Sequence, residues 1–271
     1  MSLKLLLFMI PLLPLYVENS LLFPYVSGKN FAFRIIIEIA LVPWVMLMTI
    51  NRKYRPDVSP VVIALLCFVF ITGIANLNGV DPYKSFWSNF ERMEGYITII
   101  HLMFFFFMVK SAFMSRKVWN VYFAFIVAVA LMECFYAVFL QKTGMEARVF
   151  RQEFGDRIYG DLGNPSFFAS YLLMAVIICI ILWSHLRNAA LKYLVGAGLA
   201  SMIIVIYMTG NRAAIIGIAA GLCCLGLLSM PRCLEHIGSR LRNYAAIFLV
   251  VVIAAGLLFS VSDMAEDVLE H

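Results

Sequence analysis

Nine apolar runs separated by short polar stretches dominate this sequence: Leu3–Val17, Phe31–Ile50, Pro60–Leu77, Tyr96–Val109, Val118–Leu140, Pro165–Trp183, Leu194–Met208, Ala213–Met230 and Tyr244–Ser260. A helix crossing a bilayer needs ~20 apolar residues, so most of these runs have the length of a membrane span. The fourth and seventh are short and read as spans extended by flanking residues, or as re-entrant segments shielded by protein. A water-soluble globule fails on composition. Of 271 residues, 63% are apolar and 14% charged, against roughly 45–50% and about 25% in soluble domains. The expected architecture is all-α: one polytopic transmembrane bundle of about nine spans over residues 1–271, with no separate soluble domain.

The charges predict an orientation. Arg52, Lys53 and Arg55 follow the second run, Lys110, Arg116 and Lys117 the fourth, Arg187 and Lys192 the sixth, and Arg232, Arg240 and Arg242 the eighth. The alternate loops are poorer in cations or balance them with acids, and the tail after the ninth run carries Asp263, Glu266, Asp267 and Glu270 without Lys or Arg. The positive-inside rule therefore places the N-terminus in the cytoplasm and the C-terminus outside. It also explains the net charge of +5 without nucleic acid. The N-terminus resembles a signal peptide but has Pro11 and Pro14 and no small-x-small cleavage site, so a retained first span is expected. The six cysteines form no CxxC pair, which argues against a disulfide framework or a zinc site. Walker, Rossmann, HExxH and GxSxG patterns are missing too, and no cofactor or metal is expected.

In this orientation the even-numbered spans begin outside, and their N-terminal ends disfavour nearby cations. Cations nevertheless stand there. Lys29 and Arg34 flank the start of the second span, where Asn30 is a candidate cap; Arg157 precedes the Asn164-Pro165 start of the sixth; Arg212 sits in the turn Thr209-Gly210-Asn211-Arg212. Arg212 is the sole charge between Lys192 and Arg232. Arginines at helix N-termini suit a phosphate group, so an anion at the external surface is expected, held by Arg157 and Arg212 with Arg34 and Asn164. Snorkelling to lipid phosphates or pairing with loop acids accounts better for Lys29, Arg148 and Arg151. Arg34 and Glu38 are spaced for a pair on one helix face. Glu133 reads as the counter-charge of a buried arginine or as a proton relay, and His101 as a packed, hydrogen-bonded histidine. Residues 83–95 place Tyr83, Phe86, Trp87, Phe90 and Met93 on one helical face, which predicts an amphipathic helix lying on the outer leaflet.

Four stretches carry a resemblance: Gly28–Arg34, Ser88–Gly95, Arg157–Pro165 and Thr209–Ala214. Together, in this order and on the external face, they resemble the O-antigen ligase and O-antigen polymerase superfamily, over most of the chain. The resemblance implies a multispanning glycosyltransferase of the bacterial cytoplasmic membrane. Such an enzyme moves a glycan from undecaprenyl pyrophosphate to an acceptor hydroxyl on a lipid, another glycan or a protein. It implies further that arginines, here Arg157 and Arg212, grip the pyrophosphate, while a histidine on a large external loop activates the acceptor. That loop would begin where this sequence stops, so the chain is expected to be the front part of a longer protein that lacks the acceptor-activating half, with no catalytic residue of its own. Two other readings stay open. Glu38, His101 and Glu133 within spans suit an ion-coupled transporter, and a non-catalytic membrane subunit needs none of these groups.

Overall fold

The computed structural model of the chain describes residues 3–89, 92–143 and 157–233. The ninth apolar run, the acidic tail with His271, and Arg148, Arg151, Arg240 and Arg242 lie outside them. Among the described residues every regular element is helical. The helices are α1 (Leu3–Met9, continued as a 3-10 turn over Ile10–Leu15), α2 (Ser27–Ile50), α3 (Pro60–Leu77), α4 (Pro82–Trp87) and α5 (Tyr96–Ala112). After them come α6 (Arg116–Thr143), α7 (Pro165–His185), α8 (Ala189–Met208) and α9 (Arg212–Cys233). The chain divides into two compact units, Met1–Thr209 and Gly210–His271.

Five helices, α2, α3, α6, α7 and α8, are long and apolar enough to cross a membrane. The stretch Leu3–Leu15 and α5 are shorter. Pro11 and Pro14 account for the first: neither has an amide hydrogen for the helical ladder, and the chain tightens into 3-10 geometry there. At 17 residues, α5 reaches only ~25 Å. The seventh run proves longer than its apolar core. Asn188 accepts from Ala190 N–H at 2.8 Å and starts α8 five residues before Leu194. Caps explain other boundaries. Ser59 with Pro60 opens α3, Asp81 with Pro82 opens α4, and Asn164 with Pro165 opens α7.

Two sequence expectations are corrected. The second span starts at Ser27, so Asn30 lies within its first turn and does not cap it; Lys29 and Arg34 likewise sit inside the helix. The amphipathic helix expected over residues 83–95 ends at Trp87. Ser88 turns to φ +68°, and Asn89 accepts from the Arg92 N–H at 3.1 Å, a local bond that competes with the helical ladder. The chain then folds back on α4. A Cβ on Gly95 would lie 2.1 Å from the Phe86 carbonyl oxygen, so only glycine permits this approach.

Within the first unit, contacts sort the helix termini into two ends. At one, Lys110 near the end of α5 meets Asp57 and Ser59 before α3 (Nζ–Oδ1 2.9 Å), and Asn120 near the start of α6 meets His185 at the end of α7. At the other, the start of α2 meets the start of α5, and the segment before α7 meets the end of α8. Near the first end lies a core of Leu6, Leu7, Ile37, Met108, Phe113 and Tyr122. Tyr122 meets Phe113 and Phe8 edge to face at 4.9 and 5.1 Å, and Phe8 lies tilted against Phe113 at 5.8 Å. Lipid tails are as apolar as these side chains, so packing and internal hydrogen bonds hold the helices together. Trp44 Nε1 donates to Ser111 Oγ at 2.7 Å, and Ser111 donates to the Phe107 carbonyl. In α6, α7 and α8 the buried residues are mostly small or slim, with Gly198 letting α8 approach Leu131 closely.

Candidate functional site

The second end of the unit is polar. Its scaffold is the segment Arg157–Asn164, which turns at Gly160 (φ +54°) and Gly163 (φ +68°) before Asn164 caps α7. A side chain at Gly163 would collide with the Tyr25 ring (Cβ–Cγ 2.6 Å), so glycine lets Tyr25 lie directly on this turn. Ile158 N–H donates to the Met208 carbonyl, and Arg157 Nε donates to the Thr209 carbonyl at 2.8 Å. Arg157 thus ties the segment before α7 to the end of α8.

On α2, three polar residues reach out from consecutive turns. Lys29 Nζ donates to the Asp161 carbonyl; Asn30 Nδ2 donates to the Arg92 carbonyl at 2.7 Å; Arg34 donates to the Met93 carbonyl and to Thr98 Oγ1 (2.7 Å). Arg34 is buried, and its Nε has no hydrogen-bond partner. The predicted pairing of Glu38 with Arg34 remains a through-space attraction, and the carboxylate instead meets His101 (Oε1–Nε2 3.2 Å). His101 is buried, with its other nitrogen on the Ile97 carbonyl, the hydrogen-bonded packing expected of it.

Between these groups opens a cavity of about 360 Å³. Its lining is mixed: the polar groups are Tyr25, Lys29, Asn30, Arg92 and Glu94, and the apolar ones Leu13, Val26, Phe33, Leu162 and Phe167. Phe167 is itself exposed on the helix surface. Behind Lys29 lies Glu133, fully buried on α6. Its Oε2 accepts from the Asp161 N–H at 3.4 Å, and its Oε1 has no hydrogen-bond partner. Lys29 is within electrostatic reach of both Glu133 and Asp161. Burial pushes the Asp161 carboxyl above its ordinary range, and the Lys29 ammonium offsets part of that rise. Burial and the Asp161 carboxyl also raise the Tyr25 phenol.

The sequence-derived candidates are therefore distributed. Arg34, Arg157 and Asn164 each hold a separate backbone or side-chain partner, and none lines the cavity. Arg212 is the exposed first residue of α9, in the second unit. The cations lining the cavity are Lys29, which the charge pattern assigned to snorkelling, and Arg92. Their shared position was hidden because Lys29 and its Asp161 contact are 132 residues apart. The four cationic stretches named above do, however, contain all of Lys29, Asn30, Arg92 and Asp161. Comparison with protein-family models, with curated proteins and with solved structures finds no match to this chain.

Proposed function

We propose that this chain binds the pyrophosphate headgroup of a polyprenyl-linked glycan and belongs to a machine that transfers the glycan to an acceptor hydroxyl on a lipid, glycan or protein. In this reading it is an O-antigen ligase-like protein of the bacterial cytoplasmic membrane, with nine spans, a cytoplasmic N-terminus and an external C-terminus. The observation that carries the reading is a cavity whose lining mixes an ammonium, a guanidinium, an amide and the Glu94 carboxylate with apolar side chains. A diphosphate on an isoprenoid tail combines the same charged and apolar chemistry. Arginine and lysine N–H groups bind phosphate oxygens strongly, and in a low-dielectric setting they also stabilise charge developing on a leaving diphosphate.

The charge sorting supports the orientation. Arg52, Lys53, Arg55, Lys110, Arg116, Lys117 and Arg187 belong to the end away from the cavity, and the positive-inside rule supports an external cavity on that ground. Lys29 and Arg92 hold the diphosphate. Arg34 fixes the loop that presents Arg92 and Glu94, and Asn164 caps the helix beside Leu162 and Phe167. Arg157 ties this segment to the end of α8. Arg212 enters the reading through the family resemblance alone.

In membranes carrying undecaprenyl pyrophosphate-linked glycan and acceptor, Lys29→Gln in the complete protein is expected to lower transfer at least ~10-fold, the loss of one charge-assisted bond of about 1.5–3 kcal/mol. Transfer at the native rate in Lys29→Gln and Arg92→Gln, with the proteins inserted normally, would remove the cavity from the mechanism.

A further inference from the structure

Glu133 does not line the cavity, and its one hydrogen bond at this end is to the turn before α7. It is 0% exposed, one carboxylate oxygen has no hydrogen-bond partner, and the other accepts a single long bond from the Asp161 N–H. A carboxylate has about four acceptor sites, and a buried one with so few filled depends on a nearby countercharge. The cation nearby is Lys29, the same ammonium that lines the cavity: it donates to the carbonyl of Asp161, whose N–H Glu133 accepts, and attracts the carboxylate through space without an ionic contact. The titratable groups facing Glu133 are Lys29 from α2, Asp161 from the turn before α7, and Tyr171 from α7, with Cys134 and Tyr136 on its own helix. The Tyr171 hydroxyl is also buried without a hydrogen-bond partner.

We propose that Glu133 couples anion binding in the cavity to the uptake of one proton. The coupling rests on the reading of the cavity as an anion site. In the empty protein the Lys29 ammonium attracts both the Glu133 and the Asp161 carboxyls. An anion entering the cavity takes the same ammonium and adds negative charge around that one cation, in a medium that screens it poorly. Glu133 relieves this by accepting a solvent proton on Oε1, the oxygen that nothing else occupies. The balance is one anion and one proton in, with Lys29 still an ammonium and Glu133 a neutral acid. One linked proton weakens anion affinity by up to about tenfold for each pH unit of rise through the coupling range. Glutamine at position 133 mimics the neutral acid and binds without that dependence.

Isothermal titration calorimetry of the full chain in nanodiscs, run in two buffers of different ionisation enthalpy, tests this directly. Sulfate is the probe, because its own charge does not change between pH 6 and 8 on ordinary aqueous chemistry. Inorganic pyrophosphate and farnesyl diphosphate are the second and third arms. The expected result is close to one proton taken up per sulfate in the wild type and none in Glu133→Gln, whose affinity stays flat with pH. Farnesyl diphosphate binding more tightly than pyrophosphate identifies a lipid-linked headgroup, and equal affinities identify a free anion; the proton count is read from sulfate alone, because both diphosphates titrate in this range themselves. Anion binding without proton uptake overturns the coupling and leaves the cavity reading standing. Uptake that survives Glu133→Gln, or that is lost only in Asp161→Asn, overturns it as well. If Glu133→Gln does not fold, the wild-type measurement decides alone. No binding of any of the three probes removes the cavity reading and the coupling with it.

Discussion

The two ends of the first unit are built from opposite materials. At the end where α5 and α7 finish, Phe8, Phe113 and Tyr122 interlock, and the polar groups within the core, Trp44 Nε1 and Ser111 Oγ, satisfy each other and the backbone. At the end where α2 and α5 begin, Arg34 Nε, Glu133 Oε1 and Tyr171 Oη are buried without hydrogen-bond partners, beside a cavity. Unpaired buried polar groups cost stability and are scarce in folded proteins. Their concentration at one end fits the binding role proposed for it, while the opposite end holds the helices together.

If this division is right, mutations should separate stability from binding. Phe113→Ala removes a nearly inaccessible ring from the aromatic cluster and should destabilise by ~3 kcal/mol or more. Denaturant unfolding in detergent would show that loss, with anion affinity per folded molecule unchanged; a matching fall in affinity would erase the contrast between the ends. Arg34→Met removes the guanidinium that donates to the Met93 carbonyl and to Thr98 Oγ1, leaving the carbonyl only the longer bond from the Thr98 hydroxyl, and should cost about 2–3 kcal/mol. It should also weaken anion binding, because Arg34 anchors the loop carrying Arg92. Native affinity in this variant would detach the loop from the site. Ser111→Ala orphans the Trp44 indole N–H and should cost about 1–2 kcal/mol, again without a binding phenotype.

Asp161→Asn should have the smallest effect. A carboxyl whose pKa rises on folding makes the fold less stable as pH climbs through the carboxylate range, because the unfolded chain ionises first. The asparagine variant should lose that decline and be slightly more stable at neutral pH. Melting curves of both proteins across the acidic range would sharpen the comparison, and identical slopes would contradict it.

Much of the helical framework was legible in the residues. Pro60–Leu77 was read with its boundaries intact, because a Ser-Pro start and an unbroken apolar run act locally. The start of α7 was legible for the same reason. The short helix α4 was not. Its apolar periodicity continues to Met93, but Ser88, Asn89 and the close approach at Gly95 depend on the chain returning to Phe86, a tertiary event. The site divides along the same line. Charge pattern and helix starts picked out a polar face and the stretches that form it, yet which cation meets which loop is decided by contacts such as Lys29–Asp161 and Arg34–Met93. Periodicity has no access to those pairings. Glu133 stands out in the sequence as the counter-charge of a buried arginine or as a proton relay; the cation within its electrostatic reach is Lys29.

Photolabelling with a diazirine-bearing isoprenyl diphosphate, followed by peptide mapping, tests the central claim about the cavity most directly. Crosslinks to Tyr25, Phe33, Leu162 or Phe167 that inorganic pyrophosphate competes away, and that Lys29→Gln abolishes, are the predicted result. Labelling spread over the outward faces of α3 and α8, indifferent to pyrophosphate and to Lys29, would contradict it.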